Sequence, residues 1–213
     1  VVAACLLSAL FASQAFGGER ARDLPGILAS GVLRVGIIDA QAPPFIVNEQ
    51  DGVHGVDALM ARDVAKQLGV DLELVPLADT YNGLVEAMAR GEADMALSDV
   101  SITLPRLKKV LFSEPYARFH SVMLVRREWA ERMKLHESEG LLDWEDFPAG
   151  RIASVAGSAY AGFSRRFFPD SPLELFTHLE AAYQALLAGR ADMVFYNDHV
   201  QRFFLQDPRS EEH

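Results

Sequence analysis

The sequence predicts an α/β protein of two similar lobes, each a β-α-β-α-β unit with a parallel sheet and helices on both faces. Short apolar runs alternate with amphipathic stretches at helical period, which is the pattern of strands joined by crossover helices. The order of elements occurs twice. The repetition reaches single residues: Ala87-Met88-Ala89-Arg90-Gly91-Glu92-Ala93-Asp94-Met95 aligns with Ala185-Leu186-Leu187-Ala188-Gly189-Arg190-Ala191-Asp192-Met193, with five of nine positions identical.

In the first half, Leu33 to Ile38 reads as a buried strand that ends at Asp39 and the turn Ala42-Pro43-Pro44. Gly55 to Leu68 reads as a helix with Val56, Leu59, Met60, Val64 and Leu68 on its apolar face, stopped by Gly69. Leu72, Leu74 and Leu77 mark a strand, and Thr80 caps a helix with Leu84, Ala87 and Met88 inward, closed by Gly91. Asp94 to Leu97 is the next strand. In the second half the strands are Ile152 to Val155, Leu173 to Phe176 and Met193 to Tyr196, and the helices are Ser158 to Phe168 and Glu180 to Ala188. Between the halves, Val110 to Phe112 and Phe119 to Val125 read as crossing strands or a hinge. Glu128 to Gly140 reads as a surface helix and loop. The lobes are expected at 31–115 and 116–205, with a tail over 206–213.

The chain has 213 residues, a formal charge of −10 and a single cysteine, Cys5. No basic face is visible, so a nucleic-acid partner is not expected. Residues 1–18 read as part of a secretory signal. Val1 to Phe16 carry no charge, and the apolar run from Ala3 to Ala12 is followed by Ser13-Gln14-Ala15. With neither an initiator Met nor a basic start, the chain reads as a fragment that lost its N-terminal edge. Val2-Ala3-Ala4-Cys5 also fits a lipoprotein cleavage box, against which the apolar stretch after Cys5 argues. No cofactor or metal is expected. The six histidines lack metal-ligand spacing, and no G-x-S-x-G elbow, H-E-x-x-H pair or P-loop occurs.

Ligands of parallel α/β sheets bind beyond the carboxyl ends of the strands. Those ends are Asp39, Ser98-Asp99-Val100-Ser101, Ala156-Gly157-Ser158 and Asn197-Asp198. In two facing lobes they converge on one cleft. Arg106 is the sharpest residue there, since it follows the N-cap candidate Thr103 and Pro105 in a first helical turn. A guanidinium held there offers a planar fork matched to a carboxylate. Ser101 and Ser158 add hydroxyls beside free helix N-terminal amides.

These stretches resemble the type II periplasmic solute-binding proteins of the polar amino-acid uptake class (bacterial extracellular solute-binding proteins, family 3). The resemblance rests on Leu33-Arg34-Val35-Gly36 with Asp39 and Pro44-Phe45, Gly52 through Gly55-Val56-Asp57, and Leu84 to Asp94. It continues through Thr103, Arg106 and Phe112-Ser113-Glu114-Pro115-Tyr116 to Ala156-Gly157-Ser158 and Gly189-Arg190-Ala191-Asp192, covering roughly residues 31 to 200. It implies the two-lobed periplasmic-binding-protein type II fold and an extracytoplasmic receptor that delivers a small carboxylate, an amino acid first of all, to a membrane permease of an ABC transporter, as a monomer. It implies Arg106 as clamp of the ligand α-carboxylate with Ser101 and Ser158. Tyr81 would pack on the ligand side chain, and Asp39 would be an acid facing it; Ser98 is expected at the site from its place at the carboxyl end of a strand. Asn197 stands where the family usually has the aspartate that neutralises the α-ammonium, and Asp99 replaces a typically small residue and can supply that charge. Ala42 stands where several relatives carry an aromatic wall. The family chain normally returns to the first lobe after Asn197, and a first lobe lacking that segment would expose apolar surface. Two other functions fit the same fold. One is a sensing or transporter-fused module. The other is a cyclic-acid dehydratase with Asp39 and Asp99 as acid and base.

Overall fold

The computed structural model describes residues 22–135 and 147–206. The signal reading over 1–18, the lipoprotein box at Cys5, the loop up to Gly140 beyond Leu135, and the tail from residue 207 lie outside the described residues.

Strand β1 (Val32–Ile38) is apolar nearly throughout, because it sits in the middle of a parallel sheet and is covered on both faces. Helix α1 (Leu24–Ser30) precedes it. β4 (Asp71–Ala78) lies on one side of β1 and the two-residue β5 (Met95–Ala96) on the other. Between them run the hairpin β2 (Val47–Glu49) and β3 (Gly52–His54), helix α2 (Val56–Leu68) and helix α3 (Tyr81–Ala89). Thr80 caps α3 by accepting from the Gly83 amide, and Gly69 ends α2 in the left-handed conformation at φ 70°.

The second sheet has the order β6-β9-β7-β8, from β6 (Ser121–Val125), β7 (Ile152–Val155), β8 (Leu173–Phe176) and β9 (Met193–Asn197). β7 is parallel to both neighbours, whereas β6 runs antiparallel to β9. The linking helices are α6 (Ala159–Phe167) and α7 (Leu179–Leu187), and α8 (Asp198–Leu205) follows β9. The short α4 (Leu104–Leu107) and α5 (Arg127–Arg132) flank the passage between the sheets.

The repeated segment has a structural cause. The Asp94 carboxylate accepts from the Arg34 backbone amide and from the guanidinium groups of Arg22 and Arg34. The Asp192 carboxylate accepts from the Arg151 amide and from the guanidinium groups of Arg126 and Arg151. In both halves the Gly-x-Ala-Asp corner drops a buried acid onto the head of the first strand. The same chemistry solves the same corner twice.

Three expectations need correction. Val110 to Phe112 form no strand, and Leu111 is 98% exposed; only Ser121–Val125 pairs, against β9. The buried face of α2 is Asp57, Ala58, Ala61 and Ala65, while Val56 and Leu59 face outward. Small residues allow the helix to lie close on the sheet, so alanine carries the contact that periodicity assigned to larger side chains. α5 is no mere surface helix, since Trp129 is buried with Ile152, Phe168, Met193 and Phe195. After β5, Ile102, Leu104, Leu107 and Leu111 are exposed apolar side chains.

Burial raises the Asp94 carboxyl, but its arginine and amide partners outweigh that and hold it down at about 2. The Arg151 hydrogen bond leads the same effect on Asp192, also to about 2. Each depressed carboxyl contributes stability that is complete above about pH 4 and lost as pH falls through about 2. Asp94→Asn or Asp192→Asn is expected to cost about 3 kcal/mol at pH 7. Urea melts between pH 4 and pH 2 check this, because each variant should lose part of the wild-type acid sensitivity.

Candidate functional site

The segments that follow β4, β5 and β7 and the end of β9 meet at a small pocket lined by Tyr81, Asp99, Ser101, Arg106, Ser158, Ala159, Tyr160 and Tyr196. Its walls come from both sheets, and side chains join across it. The Tyr81 and Tyr196 hydroxyls are 3.2 Å apart, and the Asn197 amide donates to Asp99 Oδ2 at 3.4 Å. Phe45 from the first half packs with Phe119, Val155, Tyr196 and Val200 from the second.

Arg106 is the centre of the site and is only 5% exposed. Thr103 and Pro105 start the turn that carries it. Its guanidinium donates to Asn82 Oδ1 from Nε and Nη2, to the Ser101 carbonyl at 2.9 Å and to the Gly157 carbonyl at 3.1 Å. All of these acceptors are neutral. Among the described residues no carboxylate lies in ion-pair contact with it. Burial lowers its pKa, yet an arginine stays charged in a protein. The Gly157 contact crosses from one half to the other. Gly157 has φ +71°, and a Cβ there would stand 3.0 Å from the Thr80 Cβ, so a side chain would hold the two halves apart.

Asp99 is the acid of the pocket. It is one of two described non-glycine residues with positive φ, at 49°, a conformation that Asp and Asn tolerate. Burial, and then the nearby negative charge of Asp57, push its carboxyl up to about 7. Burial likewise raises Asp57 to about 6, against lowering hydrogen bonds from Tyr116 and the Asp99 amide. Burial holds the Tyr81 and Tyr160 hydroxyls up at about 12 and raises Tyr196 further, so all three are neutral donors at physiological pH.

Five of the eight residues expected at the site line this pocket: Tyr81, Asp99, Ser101, Arg106 and Ser158. Asn197 is buried just behind Asp99. Its Oδ1 caps α8 through the Val200 amide at 2.8 Å, so only its NH2 faces the acid. It is a donor there, not the acceptor that an ammonium needs. The Ser98 hydroxyl accepts from the Ile38 amide inside the sheet, and Ser98 is not among the residues that line the pocket. Asp39 also lies outside the pocket lining. A bulge at Ile37/Ile38 shifts the strand register, its amide pairs with the Ala78 carbonyl, and its side chain is exposed. Ser158 is committed to capping α6: its hydroxyl donates to the Val155 carbonyl and accepts from the Ala161 amide.

Sequence reading did not find Asn82, Tyr160, Tyr196 or the Gly157 carbonyl. Tyr160 follows Ser158 by two residues, so the capped helix start was the available signal. Away from the cleft, Glu49, Asp51 and His54 bring ligand-type atoms within 4.8 Å of one another on the β2–β3 hairpin, where His54 Nε2 already engages Asp51. No described helix is long and apolar enough to cross a membrane.

Residues 33–188 match the bacterial extracellular solute-binding proteins, family 3. The chain belongs to this family. It is 38% identical over 191 residues to the cyclohexadienyl dehydratase of Pseudomonas aeruginosa, covering 90% of the chain and 67% of that protein. It is 27% identical to the L-cystine-binding protein of Escherichia coli, over 77% of the chain and 58% of that protein. Among solved structures it superposes at a TM-score of 0.75 and 30% identity on the ancestral amino acid-binding protein AncCDT-1, a precursor of cyclohexadienyl dehydratase, covering 86% of this chain and 78% of that one. The fold is therefore the two-lobed one of the periplasmic amino-acid-binding proteins.

The raised Asp99 and Asp57 carboxyls have a measurable cost. An acid whose folded pKa is raised contributes stability that is complete below its unfolded value near 4 and lost as pH rises through its folded value. Asp99→Asn is expected to keep the backbone turn and to raise the ligand-free melting temperature at pH 7.5. Its gain over wild type should vanish below pH 4, as calorimetric melts across that range would show.

Proposed function

We propose that this family member captures a small carboxylate, an amino acid in the first instance, between its two lobes outside the cytoplasm and presents the closed form to a membrane permease of the ABC type. The observation that carries this reading is the buried Arg106 guanidinium at the pocket, held by neutral acceptors and, among the described residues, in ion-pair contact with no carboxylate. A carboxylate from a ligand supplies the missing charge, and a bidentate pair forms if it displaces one of these neutral acceptors. Asp99 lies in the same pocket and takes the place of the usual counter-ion for an ammonium: a cation placed beside it draws its pKa down and ionises it. Contacts with both lobes exist only when they are closed, so a bound ligand favours closure.

A second reading is favoured by the 38% identical dehydratase and by Asp99 itself. A carboxyl with a pKa of about 7 in a closed cleft carries a transferable proton at physiological pH. With the carboxylate of a hydroxycyclohexadienyl acid near Arg106, loss of that carboxyl as carbon dioxide would leave its bonding electron pair in the ring, which aromatises and expels the hydroxyl; Asp99 would give its proton to that hydroxyl, so that it leaves as water.

Arg106→Ala is expected to weaken carboxylate binding by about 3 kcal/mol, roughly two orders of magnitude. Arg106→Lys should recover only part of this, since an ammonium keeps the charge and loses the fork. A thermal-shift screen of the twenty amino acids and small organic acids identifies the ligand, and calorimetry on wild type and variants gives the loss. Equal affinity in wild type and Arg106→Ala would refute the role of the clamp. Incubation with a hydroxycyclohexadienyl carboxylate separates the two readings. Enzyme action shows as loss of water and carbon dioxide by mass spectrometry that Asp99→Asn abolishes, whereas a receptor returns the acid unchanged.

A further inference from the structure

Asp57 is a carboxylate with no exposed surface in the first turn of α2. A helix N-terminus favours a negative charge, but that alone does not explain full burial. Its Oδ2 accepts from the Asp99 backbone amide at 2.8 Å, and the same amide also points to the Tyr116 hydroxyl at 3.1 Å. The Tyr116 hydroxyl in turn leans on the Asp57 carboxylate. Asp57 Oδ1 is buried without a hydrogen-bond partner. The backbone amide held by this pair belongs to the residue with φ 49° whose side chain enters the pocket.

We propose that Asp57, with the Tyr116 hydroxyl, is a positioning residue of the site: it pins the left-handed turn at Asp99 and sets the charge that Asp99 presents to a bound ligand. The inference rests on the reading of the cleft as a carboxylate site with Asp99 facing the ligand. The groups that face Asp99 are Asp57 from α2, Tyr81 from α3, Arg106 from α4, Tyr116, Tyr160 from α6 and Tyr196 from β9. The tyrosines stay neutral and Arg106 stays charged across the physiological range. Asp57 alone of these six changes charge where Asp99 does. Negative charge on Asp57 opposes negative charge on Asp99, so the two carboxyls titrate as a pair. A ligand that ionises Asp99 pushes a proton onto Asp57, and one that leaves Asp99 protonated does not.

The test is a pH titration of the aspartate carboxyls by carbon-13 NMR on the full chain, with the Asp99 signal assigned through Asp99→Asn. Asp57→Asn keeps an oxygen for the Asp99 amide and removes the charge, and the Asp99 midpoint is expected to fall by about one pH unit. Tyr116→Phe removes only the hydroxyl, and the Asp57 midpoint is expected to rise. It also serves if Asp57→Asn fails to fold. A purely structural Asp57 would change melting temperature and leave the Asp99 midpoint where it is in wild type. An unmoved Asp99 midpoint in folded Asp57→Asn, or an unmoved Asp57 midpoint in Tyr116→Phe, overturns the proposal. If the midpoints move as expected while the wild-type protein binds none of the screened carboxylates, the pairing stands and the functional reading falls.

Discussion

A guanidinium withdrawn from water and given no counter-ion constrains the whole cleft. Burying an unpaired charge is costly, and neutral acceptors offset only part of that cost. Arg106 has Asn82 and the carbonyls of Ser101 and Gly157, which occupy four of its five N–H groups without neutralising it. Other features follow from keeping it there. Gly157 must lack a side chain so that its carbonyl reaches across from the second lobe, and the turn at Thr103 to Leu107 must be short to bring the fork inward. The carboxyl in the same pocket is raised to about 7, so below that pH it is mostly protonated and leaves the guanidinium charge of the site uncancelled inside a chain of net charge −10. An anion is attracted by this local field and not by the protein as a whole.

The two lobes show how one local solution fixes a repeated architecture. Asp94 and Asp192 each lock a Gly-x-Ala-Asp corner to the head of a central strand, through one backbone amide and two arginines. That lock sets where β5 and β9 begin relative to β1 and β7, and thereby where Ser98-Asp99 and Asn197 emerge at the far ends. A clamp at the bottom of each sheet thus decides which residues can meet at the top. The lobes then diverge: β9 has β6 as an antiparallel neighbour, whereas β5 pairs with β1 alone among the described strands.

Much of this was legible in the residues, for a physical reason. Central strands such as Leu33 to Ile38 and Met193 to Tyr196 are buried on both faces and stand out as apolar runs, and Thr80, Gly69 and Ser158 are caps with unambiguous chemistry. Arg106 was legible because a turn with Thr103 and Pro105 leaves its side chain few directions. What escaped has equally definite causes. A backbone carbonyl such as that of Gly157 has no letter in a sequence. Tyr196 lies in an apolar strand and reads as core until its hydroxyl is seen against Tyr81. Asp57 reads as an ordinary first-turn acid, and its grip on the Asp99 amide spans 42 positions. Asp39 was read from its place at the carboxyl end of the first strand, and a strand end fixes a position without fixing a direction: after the bulge at Ile37/Ile38 its side chain is exposed.

Receptor and dehydratase require the same geometry up to one proton. Both need an anion seated on Arg106, two lobes closed around it and a carboxyl on the far side of the ligand. A receptor for a zwitterion needs that carboxyl ionised, because the ammonium requires a charge and Asn197 is neutral, with its oxygen already accepting from the Val200 amide at the cap of α8. A dehydratase needs it protonated, because the leaving hydroxyl requires a donor. Asp99, raised to about 7, sits at the boundary between these states, and Asp57 beside it decides how readily the boundary is crossed. In such a cleft, the change from holding a ligand to transforming it demands no new residue at the centre. It demands only that the ligand bring a hydroxyl in place of an ammonium to the same acid.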